Sequence, residues 1–113
     1  MDCLFCKIVR GEIPAKLLYQ DDYVVAFADL HPQAPTHLLV VPREHISTIN
    51  EVNQANSALV GHMIWAATRL AKEAKLDEPG YRVVMNCNAD GGQAVYHIHC
   101  HLLGGRQMTW PPG

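Results

Sequence analysis

No stretch of this sequence is apolar for long enough to cross a membrane. Its apolar runs, residues 38–41 among them, fall far short of the ~20 residues that a helical span requires. Runs of basic residues are missing as well, and the net charge is −2. That balance excludes a surface built to track nucleic-acid phosphates, which needs clustered Lys and Arg. The chain opens Met1-Asp2-Cys3-Leu4 without a basic segment leading into an apolar one. No secretory signal is therefore expected, and a cytoplasmic protein is. Cysteine is sparse, with four in 113 residues. That number reads as thiols or metal ligands in a reducing compartment, not as a disulfide framework. There is no repeat, low-complexity tract or linker. The length fits one domain, residues 1–113, whose core is small enough for a metal or a partner subunit to matter.

What is present alternates between two periodicities. Residues 4–10 read as a short helix with Leu4, Phe5 and Ile8 on one face, closed by Gly11. Residues 17–20 and 23–28 read as strands around an Asp21-Asp22 turn, and 37–41 as a strand stopped by Pro42. One long helix is expected over 53–75. Leu59, Met63, Ile64, Ala67, Leu70, Ala71 and Ala74 form its apolar stripe, with His62, Arg69, Lys72 and Glu73 on the wetter side. Residues 81–86 and 97–103 complete the strands, joined by a loop centred on Gly91-Gly92 that is too long for a tight hairpin. The fold class is α+β: an antiparallel sheet with one long and one short helix.

The run His97-Ile98-His99-Cys100-His101 concentrates three of the chain's seven histidines in five residues. On a strand the three imidazoles project to one face, while Ile98, Cys100 and Leu102 project to the other, toward a core. Three readings stand at this point. The row is a polar outer face, a tri-histidine metal centre, or a catalytic set in which a neutral imidazole acts as nucleophile. The preceding Asp90-Gly91-Gly92-Gln93 offers low-bulk backbone whose N–H groups suit a phosphate.

The alternation His97-Ile98-His99-Cys100-His101-Leu102-Leu103 resembles the signature of the histidine-triad superfamily, and the resemblance extends along essentially the whole chain. Residues 91–96 precede the triad, and the tail that follows it, 104–113, is similar to the branch of histidine-triad nucleotide-binding proteins, purine nucleoside phosphoramidate hydrolases, as is 27–37. The resemblance implies a five-stranded antiparallel sheet with two helices, and a symmetric homodimer. It implies that His99 is the nucleophile, attacking the α-phosphorus of a nucleoside phosphoramidate or aminoacyl-adenylate, and that no cofactor is required. His101 would bind the phosphate or handle a proton, and His37 would support His99. Asp29 would hold the ribose hydroxyls, and Leu4, Phe5, Ile8, Phe27 and Leu30 would sandwich a purine. Asn86, Gly92, Ala94 and Val95 would lie along the sugar and phosphate. Ala94 stands where the family often carries a serine. Trp110 resembles a tail residue that reaches a partner's active site. His31 and His62 are expected to be structural. A dinucleoside polyphosphate hydrolase of another branch is disfavoured by the 104–113 tail, and a non-enzymatic purine-nucleotide-binding module is a further alternative.

Cys3-Leu4-Phe5-Cys6 is a C-x₂-C pair able to supply two of four zinc ligands. The resemblance, to some bacterial members, implies that His45 of Pro42-Arg43-Glu44-His45-Ile46 and His97 complete a closed structural site. Cys87 and Cys100 read as buried thiols.

Overall fold

The computed structural model describes residues 3–113. Five strands form one antiparallel sheet: β1 (Tyr19–Gln20), β2 (Val24–Ala28), β3 (Thr36–Pro42), β4 (Tyr81–Val84) and β5 (Cys100–Gly104), in the order β1-β2-β3-β5-β4. The long helix α2 (Ser57–Glu73) covers one face and the six-residue helix α1 (Leu4–Val9) lies over the other. The one-turn helix α3 (Asn88–Gly91) follows β4, and a single 3₁₀ turn, Ile49–Glu51, precedes α2.

Alternation along the strands divides the core in two. Val24 and Ala26 of β2, Val40 of β3, and Cys100 and Leu102 of β5 pack under Met63, Ala66, Ala67, Leu70 and Ala71 of α2. The alanines let the helix axis lie close to the sheet. The intervening Val25, Phe27, Leu39 and Val41 point the other way and meet Phe5 of α1.

Several boundaries differ from the sequence reading, each for a local reason. The long helix starts at Ser57, not at 53, because Asn53 Oδ1 accepts the N–H groups of Ala55 and Asn56 and holds a turn there. It ends at Glu73, and Lys75 follows with φ 60°. Its buried stripe runs through Ala66, whereas Ile64 and Ala74 are exposed. Strand β3 continues through Pro42. The proline carbonyl accepts from the His97 ring, so the missing N–H lies on the side where β5 has already left the ladder. The strands at 17–20, 23–28 and 81–86 are each shorter than expected. The glycine loop contains the helical turn α3, which ends on Gly92 at φ 79°, a left-handed conformation that glycine adopts without strain.

The histidine run is only partly strand. β5 begins at Cys100, and His97 to His99 lie ahead of it. Ile98 donates its N–H to the Ile46 carbonyl at 2.7 Å, outside the sheet, and this bends the segment.

Candidate active site

A cavity of about 570 Å³ opens on the α1 face of the sheet. All twelve residues assigned to nucleotide binding line it: Leu4, Phe5 and Ile8 from α1, Phe27, Asp29 and Leu30 from the end of β2, Asn86, Gly92, Ala94 and Val95 from the β4–β5 connection, and His99 and His101. The wall also includes residues 13–16 and His31. His31 is thus a rim residue and not simply structural. Residues 13–16 were missed because only the path of the chain after α1 brings them there. Leu30 is 89% exposed and Leu4 is 45% exposed, apolar surface at the rim that a flat ring would cover.

His97 does not join its two neighbours in this cavity. Among the described residues no ligand cluster unites His97, His99 and His101, so the tri-histidine metal centre does not form.

Hydrogen-bond partners assign the imidazole tautomers in turn. His37 Nδ1 accepts the Gln33 backbone N–H at 3.0 Å, so its proton sits on Nε2. That Nε2–H donates to His101 Nδ1 at 2.9 Å, with Asp29 Oδ2 farther off at 3.5 Å. His101 therefore carries its own proton on Nε2. His99 donates Nδ1–H to the His97 carbonyl at 2.8 Å, which leaves a bare lone pair on Nε2 in the neutral ring. The cavity thus has one imidazole with a free electron pair and a second with a free N–H. Their ring centroids are 4.9 Å apart, and the Phe5 ring stands edge-on to His99 at 5.1 Å.

Electrostatics favour the neutral forms. Burial, with the nearby His99 and His37, pushes His101 down to about 4 against the partial opposition of Asp29. Burial also lowers His37, again opposed by Asp29. Cys100 lies on the opposite face and burial pushes its thiol up to about 12, so it is no nucleophile. Cys87 is only half-buried. Gln93 is a positioning residue that sequence reasoning did not single out. Its Oε1 accepts the Asn88 N–H at 2.9 Å, and its Nε2 donates to the carbonyls of Ser47 and Val95 at 2.7 and 3.1 Å, pinning the loop that carries Gly92 and Ala94.

The first histidine belongs to a second cluster. His97 Nε2–H donates to the Pro42 carbonyl at 2.8 Å, which turns a bare Nδ1 toward Cys3 Sγ (3.4 Å), Cys6 Sγ (3.5 Å) and His45 Nδ1 (3.2 Å). Cys6 Sγ lies 3.3 Å from His45 Nδ1, and all four donor atoms fall within 4.8 Å of one another. A tetrahedral zinc site with ordinary bond lengths has edges of about 3.6 Å for S···N and about 3.3 Å for N···N, so the residues fit the ion. The outer contacts also suit a metal, since Pro42 O and Ser47 Oγ (3.3 Å from His45 Nε2) occupy the far side of each imidazole. Burial, and the bond and charge of Cys3, raise the Cys6 thiol, a penalty that a divalent cation reverses. The other grouping of metal-capable residues, Asp29, His37 and His101, has its imidazole nitrogens engaged with each other.

The HIT domain family model matches residues 10–108. The chain belongs to the HIT domain family. Among HIT relatives, a purine nucleoside phosphoramidase of Escherichia coli strain K12 is 50% identical over 107 residues, covering 95% of this chain and 90% of the relative. The crystal structure of a HIT family hydrolase from Legionella pneumophila Philadelphia 1 superposes with a TM-score of 0.97 at 58% identity, covering 99% of this chain and 100% of that one. A zinc-bound histidine triad family protein from Mycobacterium smegmatis is similar at a TM-score of 0.83 and 30% identity, over 94% of this chain and 76% of that one. Among the described residues, no helix of this HIT protein is long and apolar enough to cross a membrane.

Proposed function

We propose that this protein hydrolyses purine nucleoside phosphoramidates and aminoacyl-adenylates through a nucleotidyl-histidine intermediate on His99. The carrying observation is the tautomer chain from Gln33 through His37 to His101, beside a His99 whose Nε2 is bare. The half-identical phosphoramidase supports the choice of substrate.

In this reading the purine lies between Leu4, Phe5 and Ile8 on one side and Phe27 and Leu30 on the other. The Asp29 carboxylate already accepts the His31 N–H at 2.8 Å and keeps lone pairs for two ribose hydroxyls. Asn86, Gly92, Ala94 and Val95 lie along the sugar and phosphate. His99 Nε2 forms a bond to the α-phosphorus as the bond to the leaving amine or carboxylate breaks; a leaving amine takes its proton from solvent water, a carboxylate leaves without one, and the neutral His101 donates its Nε2–H as a hydrogen bond to the oxygens on phosphorus. Water then attacks the phosphorus, releases the nucleoside monophosphate and restores His99. No step needs a metal. The assay compares adenosine 5′-phosphoramidate with a diadenosine polyphosphate. Faster release of monophosphate from the first is expected, and the reverse order would favour the other branch's activity.

We further propose that Cys3, Cys6, His45 and His97 hold a structural zinc. The tetrahedral edge lengths and the zinc-bound relative support it. Four protein ligands leave no open position, so the ion would order the fold and take no part in the chemistry. Its thiolates suit a reducing cytoplasm. Metal analysis of protein purified without chelator should give one zinc per chain.

A homodimer completes the reading. β4 is an edge strand, and Ile64, Trp65 (46% exposed) and Trp110 (83% exposed) present apolar surface. Sedimentation should give twice the chain mass.

A further inference from the structure

We infer that the thiol–imidazole cluster positions the base site: a metal held by Cys3, Cys6, His45 and His97 clamps α1 as the wall of the cavity, so metal and nucleotide each tighten the other's binding. The inference rests on the zinc and nucleotide readings above and adds the coupling between them.

Two kinds of residue interleave on α1. Cys3, at its N-terminal cap, and Cys6 point into the cluster, while Leu4, Phe5 and Ile8 line the cavity. A helix of six residues is too short to hold itself together in water. Nor does the sheet hold it through the backbone. The main-chain bonds of Lys7 and Arg10 run to the Cys3 and Cys6 carbonyls, both at 3.0 Å, and those of Glu12 and Ile13 run to Lys7. Two side-chain anchors remain. One is apolar: Phe5, with Ile8 and Val9 beside it, against Val25, Phe27, Leu39 and Val41. The other is the pair of thiols facing His45 and His97. Both anchors adjoin His99: Phe5 stands edge-on to its ring at 5.1 Å, and His97, which faces the thiols, accepts the His99 Nδ1–H on its carbonyl at 2.8 Å.

Ordering α1 therefore costs free energy once. A metal that fixes Cys3 and Cys6 leaves Leu4, Phe5 and Ile8 in place for the base, and a base stacked on them holds the thiols over His45 and His97. Shared ordering of one element makes two ligands mutually favourable, and the coupling must be the same factor in both directions.

The test uses the full chain loaded with zinc, titrated to equilibrium with a chromophoric chelator, with and without saturating adenosine 5′-monophosphate. Zinc should be held about tenfold more tightly with the nucleotide present. Calorimetry on the zinc-free chain, its fold checked by circular dichroism, should show nucleotide binding weakened by the same factor. If that chain unfolds, the titration of the loaded protein still decides. Ribose 5-phosphate offers Asp29 and the histidines their ligand but leaves α1 uncovered, so it should not move the zinc constant. Equal zinc constants with and without nucleotide, while both ligands bind, overturn the coupling and leave the proposed function standing. An equal shift with ribose 5-phosphate routes the coupling away from α1 and overturns it too. A chain that holds no zinc, or no nucleotide when zinc-loaded, overturns the reading beneath and the coupling with it.

Discussion

Val24 and Ala26 of β2 meet Val40, Cys100 and Leu102 beneath a seventeen-residue helix, whereas their neighbours Val25, Phe27 and Leu39 meet a six-residue helix, the last two at the border of a cavity. The same strands supply both faces, so the difference lies in what covers them. A long alanine-rich helix closes one face with apolar side chains. A short helix leaves the other open, and there β3 and β5 carry His37 and His101, with His99 just ahead of β5. Stability is concentrated on the first face and chemistry on the second. The two should therefore respond separately to substitution.

The largest effect is expected on the open face. His99→Ala removes the electron pair proposed to attack phosphorus. By analogy with the loss of other covalent nucleophiles, turnover of adenosine 5′-phosphoramidate should fall by about 10⁴- to 10⁶-fold. Nucleotide affinity, followed by calorimetry, should persist because the apolar wall and Asp29 remain. A rate within tenfold of the original would remove His99 from the mechanism.

The closed face should show the converse. Leu102 is fully buried under α2. Leu102→Ala should cost about 2–5 kcal/mol of unfolding free energy, read from denaturant melts. Below its melting range the variant should bind nucleotide with nearly unchanged affinity. A parallel loss of affinity would show that the two faces are not independent.

Acid should weaken the open face selectively. Burial holds His101 down at about 4, while an unfolded histidine titrates near 6.5. Between those values the unfolded chain binds a proton that the folded chain refuses. Stability therefore rises with pH across the window and is lost as pH falls through it. His37 is lowered by burial and adds in the same sense. The share from His101 is on the order of 1–2 kcal/mol after a discount for its residual solvent contact. On the closed face Cys100, at about 12, titrates nowhere near this range. His101→Gln should flatten the melting temperature between pH 7 and pH 4.5, and an unaltered slope would reject the assignment.

This division was half legible in the sequence. Period-two alternation marked Ile98, Cys100 and Leu102 as core-facing, and the family resemblance marked twelve of the positions that line the cavity. The parting of His97 from His99 and His101 could not be read from alternation. It depends on the Pro42 and Ile46 carbonyls, more than fifty residues away, which bend the segment before β5 begins. The start of α2 was misplaced because the Asn53 side chain competes with the helix, an effect that an apolar stripe does not reveal. Residues 13–16 join the wall through the turn after α1, and their composition carries no sign of it.

The smallest expected effect sharpens the comparison from inside the open face. Ala94 lines the cavity, next to Val95, on the loop pinned by Gln93. Its methyl group can neither donate to a phosphoryl oxygen nor accept from a leaving amine. A hydroxyl at this position adds one such hydrogen bond, typically about 1 kcal/mol, or roughly fivefold in rate if the bond forms in the transition state. Ala94→Ser should raise kcat/KM by about that factor. The gain should be larger for phosphoramidates of poorly leaving amines than for aminoacyl-adenylates, because a hydroxyl that helps the departing nitrogen matters most where departure is hard. Thermal stability should not change, since the residue is exposed and bears on no packed side chain of the closed face. Equal rates for both variants across leaving groups would mean that the backbone of this loop already supplies everything the phosphate needs.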